Sequence, residues 1–372
     1  MAAPRGGSAA GDRSRPPRPH ALRRYGQNHL VDANILRVIV DQAAVGPDDV
    51  VLEVGAAGGL LTRPLVERAR LVHALIPYWA AHVWLVPGLE FAEAVLAIAE
   101  PDEDPLRASQ LMIDASSLAA GMGLLGRARS LAMAAARLAQ RVRLLEAEIN
   151  ALATHAFCEL LDGEPAVIVS ELERLLERAV QAGLTLQQSR LLSFLGQARA
   201  ELGELDAARH ALERARRLAQ ELGNPMGEAL ETINLAFVAV LSTDATEACR
   251  LLGALARTQP PIDHHVVACF TLFTVGCLAR LEGQWARCLR AHLAALRHYE
   301  SGGVADSRLR RREREHDIER ARQALDPATC AATEREAATG SIQSDLAWAL
   351  AGAGRGAGST SLAEIGIPPA NR

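Results

Sequence analysis

Apolar positions recur at helical spacing along the chain from about residue 100, broken at regular intervals by short polar or glycine-bearing turns. The stretch LLSFLGQARAELGELDAARHALERARRLAQELGNP, Leu191 to Pro225, shows the unit in full. Its spacing predicts one helix ending at Leu202, a turn at Gly203, and a second helix from about Leu205 until Gly223-Asn224-Pro225 stops it. A later copy, VGCLARLEGQWARCLRAHLAAL, separates Gly276 from Gly283 as Gly196 is separated from Gly203. Gly123, Gly163, Gly203 and Gly283 fall 40 residues apart or at multiples of it, with Thr243 in the missing place. About five positions after each comes a small or apolar residue, Ala128, Ile168, Ala208, Ala248 or Cys288, where a second helix would pack on the first. A single helix pair cannot cover its own apolar face, so neighbours must stack. The expectation is a mostly α chain whose residues 101–351 form a right-handed solenoid of about five helix pairs.

This unit resembles a tetratricopeptide repeat lengthened from about 34 to about 40 residues. Upstream the pattern differs. Ile35, Val38, Ile39 and Ala43 share one helical face between Asp32 and Ala44. Gly46-Pro47-Asp48-Asp49 then makes a turn, and Val50 to Val54 reads as a buried strand running into the glycine-rich VVLEVGAAGGL. The boundaries expected are an Arg/Pro-rich disordered arm over 1–20, an α/β fragment over 21–72, a junction over 73–100, the helical repeats over 101–351 and a disordered tail over 352–372.

Composition sharpens this picture. Apolar residues make up 49% and aromatics only 3%, so the core must be Leu, Ala and Val, a mixture that suits close-packed helices. No lysine occurs, so all 40 basic residues are arginine, and the net charge of -4 supplies no global basic field for nucleic acid. The six cysteines, Cys158, Cys249, Cys269, Cys277, Cys288 and Cys330, form no C-x-x-C pair, which predicts reduced, mostly buried thiols and a cytoplasmic location. The N-terminus has no apolar core of a secretory signal. Leu71 to Leu89 carries no Asp, Glu, Lys or Arg, but Pro77, Pro87, His73 and His82 interrupt it, so no membrane span is expected.

RRYGQNHLVDANILRVIV followed by DDVVLEVGAAGGLLTRPLVERA, about residues 20 to 72, resembles the opening of the rRNA adenine dimethyltransferase family. That resemblance implies a Rossmann-like α/β fold and S-adenosylmethionine as cofactor. It also implies that Asn28 and Leu30 contact S-adenosylmethionine and that Glu53 and Gly55 sit at the end of the first strand. A glycine turn lets backbone approach a ligand, and the next helix start offers it free N–H groups. The sequence departs from the family beyond this point. Such a site needs an acid about 20 residues on for the ribose hydroxyls, yet Ala69 to Leu89 holds no Asp or Glu and Ile76 stands near that place. The family's Asn-Leu/Ile-Pro-Tyr appears only as Leu75-Ile76-Pro77-Tyr78, without its asparagine and too early for a fourth strand. The expectation is an incomplete Rossmann-like fragment, inactive as a methyltransferase; the alternative is an S-adenosylmethionine-dependent rRNA adenine N6-dimethyltransferase with rRNA as partner.

The segment REREHDIERARQALDPATCAATEREAATGSIQSDLAWALA resembles the end of the helical-repeat region of large ATP-binding LuxR-like transcriptional regulators. Neither the phosphate-binding loop nor the DNA-binding helix-turn-helix of those regulators is seen in the sequence. What the resemblance implies is a binding module that takes a protein, peptide or regulatory ligand on its concave face, with inner-helix arginines as anchors. Asp263-His264-His265 reads as a helix start capped by Asp263, adjacent side chains diverging too far to share a metal. The arginine-dense RLRRREREHDIERAR, Arg308 to Arg322, reads as a solvated helix face, and Phe194 and Trp285 as packing residues. No catalytic residue and no metal ligand is assigned.

Overall fold

The computed structural model describes residues 85–98, 101–102, 104–257, 265–302 and 304–353. The 21–72 segment with Asn28, Leu30, Glu53 and Gly55 lies outside the described residues, as do the arm 1–20, residues 75–78, Asp263 and residues 354–372 of the tail. Among the described residues the chain is mostly helical, with fourteen helices and no strand. Helix α1 (Leu85–Ile98) falls inside the expected junction and packs on α2 (Pro105–Gly121). There follow α3 (Leu125–Arg141), α4 (Leu145–Asp162), α5 (Pro165–Gln181), α6 (Thr185–Glu201) and α7 (Leu205–Glu221). Next come α8 (Pro225–Leu241), α9 (Ala245–Arg257), α10 (His265–Leu281) and α11 (Trp285–Gly302), and the last three are α12 (Arg308–Ala324), α13 (Pro327–Ala337) and α14 (Ile342–Ala353).

From α2 to α11 each helix begins 20 residues after the one before. Two such helices make up the 40-residue unit that the glycines suggest, and the turns recur every 20 residues. The Gly203 N–H donates to the Ala200 carbonyl at 3.1 Å and the Glu204 N–H to that of Arg199 at 2.9 Å, satisfying carbonyls that a helix end leaves free. The same two bonds recur after α2, α3, α5, α7, α8 and α10. This turn needs one left-handed residue, and Gly183 and Gly223 supply it between the second helix of one pair and the first of the next. Gly163 does not: it closes α4 with φ -94°, an ordinary conformation, so this glycine of the 40-residue series has a different role from the others. Two turns adopt φ near +60° without glycine, at Arg143 (61°) and Thr243 (59°). A β-branched residue is strained there. Thr243→Gly is expected to stabilise the chain by about 1 kcal/mol, read as a higher urea midpoint at unchanged slope; an equal or lower midpoint would refute the strain.

The first helices of the pairs, α2, α4, α6, α8 and α10, pack on one another in succession and form one row, while α3, α5, α7, α9 and α11 form the second. The sequences of the two rows match their positions. Helix α7, LDAARHALERARRLAQE, buries a single stripe of Ala208, Ala211, Leu212, Ala215 and Ala219. Helices α8 and α10 are apolar almost all round and bury Glu231 to Val240 and Thr271 to Ala279 without a break, because they are covered on both sides. Where the two helices of a pair cross, Ser116, Ala156, Gly196, Ala236 and Gly276 recur at 40-residue intervals, all buried. Facing them at the same interval are Ala132, Leu172, Leu212, Leu252 and His292, each fully buried. The approach is closest at the two glycines: a Cβ at 196 would lie 2.5 Å from Leu212 Cγ, and one at 276 would lie 2.6 Å from the His292 ring.

After α11 the period breaks. Helix α13 packs on α11, and α14 packs on α9, α10 and α11. Arg297 and His298 both reach Asp345 of α14, the latter at 2.9 Å, and the Arg290 guanidinium lies 4.1 Å over the Trp348 ring.

Candidate functional site in the helical trough

The segment 304–317 runs along the inner row and touches its helices in turn. The Ala305 N–H donates to the Gly121 carbonyl of α2 at 2.7 Å. Arg308 Nη2 donates to Asp162 Oδ1, the last residue of α4, at 3.1 Å. Ser307 and Arg310 face Glu201 at the end of α6. Arg310 Nη2 donates to Asn234 Oδ1 of α8 at 2.8 Å, and its guanidinium stacks 3.9 Å over the Phe270 ring of α10. Arg280 Nε of α10 donates to Asp317 Oδ2 at 3.0 Å, and His292 Nε2 of α11 lies 3.1 Å from the same oxygen. Contacts to the C-terminal ends of α2, α4 and α6 and to the faces of α8 and α10 make this row the wall of a trough, with α12 lying over its last two pairs.

Helix α12 corrects the sequence reading of Arg308 to Arg322. Arg311, Arg312, Glu315, His316, Glu319, Arg320 and Arg322 are exposed as expected. Arg310, Arg314, Asp317 and Ala321, spaced by three and four residues, form one face that is buried. The charges on it can be buried because each is paired: Arg314 with Asp306 and the Tyr299 ring, Arg310 with Asn234 and Phe270, and Asp317 with Arg280 and His292. Two arginines of the inner row also bond within the chain, Arg190 of α6 to Asn150 and Thr154 and Arg280 of α10 to Asp317.

Burial controls the titration of these groups. Glu231 of α8 is held at about 7 by desolvation, against the opposing pull of Ser193, Asn234 and Arg310. Desolvation also raises Glu201 and lowers His292, the latter despite its bond to Asp317. All six cysteines are free, and four are buried; desolvation pushes the Cys288 thiol up to about 12 and Cys277 well above the ordinary thiol range. Trp285 is packed beneath Arg320 at 5.3 Å, as a packing residue should be.

Over α2, α4 and α6 the same register presents a different lining. Asn234 and Phe270, which α12 covers, correspond at multiples of 40 residues to Asp114, Thr154 and Phe194 and to Gln110, Asn150 and Arg190. Most of these are only half-buried. Phe157 and Phe194 stack with centroids 4.9 Å apart, Arg190 lies 5.9 Å over Phe194, and Arg190 donates to Thr154 Oγ1 at 3.4 Å and to Asn150. At the ends of α2, α4 and α11, Met122, Leu125, Leu161, Tyr299 and Asp306 line a cavity of 380 Å³.

His292, Asp317 and Cys277 are the residues that sequence reasoning missed. A signal for His292 was present: four preceding pairs carry Ala132, Leu172, Leu212 and Leu252 at its position, and a histidine breaks the apolar series. Asp317 carries no such mark, since it lies beyond the repeats in a run of alternating charges.

Comparison with known proteins bears on the N-terminal segment. Residues 20–75 match the family model of ribosomal RNA adenine dimethylase. The ribosomal RNA small subunit methyltransferase A of Moorella thermoacetica is 56% identical over 50 residues, 13% of this chain and 17% of that protein. The probable ribosomal RNA small subunit methyltransferase A of Methanopyrus kandleri is 53% identical over 53 residues, 14% of this chain and 19% of the relative. That of Geobacillus kaustophilus is 53% identical over 49 residues, 13% and 17%. The chain thus spans less than a fifth of the length of these relatives, and the likeness to a methyltransferase of ribosomal RNA belongs to its N-terminal part.

Proposed function

We propose that residues 101–351 are a tetratricopeptide-like binding module. Its trough is filled by α12 over the last two pairs and receives a helix of a protein or peptide over the first three. The observation that carries this reading is α12 itself, an arginine-bearing helix seated in the trough through Asn234 and Phe270. The half-buried Arg190 and the stacked Phe157 and Phe194 continue the same register without α12 above them. The likeness of the C-terminal stretch to the repeat region of LuxR-like regulators supports a regulatory partner, and six free thiols suit the cytoplasm. Among the described residues no helix is long and apolar enough to cross a membrane. The test is a photo-cross-linking residue at Ser117, which shares the register of Phe237 beneath Arg310. The full chain is expected to trap a discrete protein, and the Arg190→Ala, Phe194→Ala double variant to recover at least tenfold less of it. Equal recovery by both chains would overturn the proposal.

A second reading rests on the family match over residues 20–75. In it the N-terminal segment binds S-adenosylmethionine through Asn28, Leu30, Glu53 and Gly55, and the whole chain is an rRNA adenine N6-dimethyltransferase. The missing acid between Ala69 and Leu89 weighs against transfer, and the helical module then serves no catalytic step. Calorimetric titration with S-adenosylmethionine at millimolar concentration decides: heat of binding that Gly55→Val abolishes supports this reading, and a silent titration removes it.

A further inference from the structure

We propose that Cys277, His292 and Asp317 hold a zinc ion that fastens α12 to the last helix pair. The Cys277 thiol, a ring nitrogen of His292 and a carboxylate oxygen of Asp317 lie within 4.8 Å of one another, on three different helices, and all three residues are fully buried. Tetrahedral zinc with donors at about 2.0–2.3 Å requires them about 3.3–3.8 Å apart, so closing onto the ion asks for movements on the order of 1 Å. One polar atom at this spot makes no hydrogen bond, His292 Nδ1, while Asp317 Oδ1 lies 2.9 Å from Arg280 Nε. Buried polar atoms seldom stay unpartnered, because each costs the full desolvation of the group.

A sulfur, a nitrogen and an oxygen are donors that zinc accepts together and that magnesium or calcium does not. The charge balances as well. The Cys277 thiolate and the Asp317 carboxylate offset the two charges of the ion. The Cys277 thiol releases its proton to water as the metal enters, so binding weakens in acid.

The repeats serve as internal controls. At the position of His292 the four earlier pairs carry Ala132, Leu172, Leu212 and Leu252, so the helix crossing needs no histidine. Only in the last pair, and only against an aspartate brought in by α12, does one occur. The inference is independent of the partner that the open trough takes.

The experiment uses the full chain, stripped with a chelator and titrated with cobalt(II) and then zinc(II). One equivalent of cobalt is expected to give the d–d bands of a tetrahedral ion and a thiolate charge-transfer band, both abolished by one equivalent of zinc. His292→Leu restores the residue that three earlier pairs carry and is expected to keep its helical circular dichroism while losing at least tenfold in affinity. Cys277→Ser, a change of one atom, should remove the charge-transfer intensity of that sulfur, and Cys249→Ser, which faces Glu282 at 3.7 Å, should change nothing. A folded wild-type chain that gives no tetrahedral cobalt spectrum would overturn the site. So would His292→Leu and Cys277→Ser chains that bind as tightly as wild type, and the trio would then be a hydrogen-bonded lock alone.

Discussion

Asp317→Leu is expected to destabilise the metal-free chain by about 3–5 kcal/mol, the cost of removing one partner from a buried ionic cluster. Asp317 is fully buried and answers two groups at once, Arg280 Nε at 3.0 Å and His292 Nε2 at 3.1 Å. Without the carboxylate, His292 has no hydrogen bond on either ring nitrogen, since Nδ1 has none to begin with. Arg280 loses its principal acceptor and keeps only the 3.9 Å approach to Glu313. Urea unfolding followed by circular dichroism measures the loss. The double variant His292→Leu, Asp317→Leu separates polarity from packing. It places leucine where Leu172, Leu212 and Leu252 already pack, and an all-apolar replacement of a buried polar cluster is often neutral. Recovery of at least half of the loss is expected. A single variant within 1 kcal/mol of wild type would mean that the α12 contact carries no weight in the fold.

The way this site stayed hidden in the sequence follows from how each part of the fold is specified. The helix pairs are local objects, and Leu191 to Pro225 contains its own start, turn and stop, so α6 and α7 lie where the pattern places them. The apolar excess of α8 and α10 also shows in the sequence, but what covers their second side does not, because the cover comes from α12, more than 60 residues after the end of α8. Nothing in RLRRREREHDIERAR distinguishes Arg310, which stacks on Phe270, from Arg311, which is exposed. Both belong to one charged helix, and only the fold decides which side is turned into the trough. Arg143 was equally silent: a left-handed turn is legible where glycine marks it and illegible where the tertiary structure imposes it on another residue. The candidate cofactor residues Asn28, Leu30, Glu53 and Gly55 rest on family likeness, with its match over residues 20–75 as the support.

The second large effect concerns pH. Glu231 is buried between Ser193, Asn234 and Arg310, and desolvation holds its carboxyl at about 7 against an ordinary value of 4.5. A carboxyl whose folded value is raised binds its proton more tightly folded than unfolded, so its contribution is greatest below 4.5 and is lost as pH rises from 4.5 towards 7. The shift corresponds to about 3 kcal/mol between those limits. His292 acts with the opposite sign: burial lowers its value, so its contribution is present above 6.5 and is lost as pH falls below that. The wild-type profile sums both, and Glu231→Gln isolates one. Glutamine keeps the shape and can still accept from Ser193 and Asn234, but it never ionises. The stability of Glu231→Gln relative to wild type is expected to be near zero at about pH 5 and to reach about 2–3 kcal/mol in favour of the variant by about pH 8. A flat difference over that range would show that Glu231 is ionised throughout and held by Arg310. The charge state of one carboxyl on α8 would then be set by the helix that fills the trough, and removing α12's arginine by Arg310→Met would move the wild-type profile towards the one expected here.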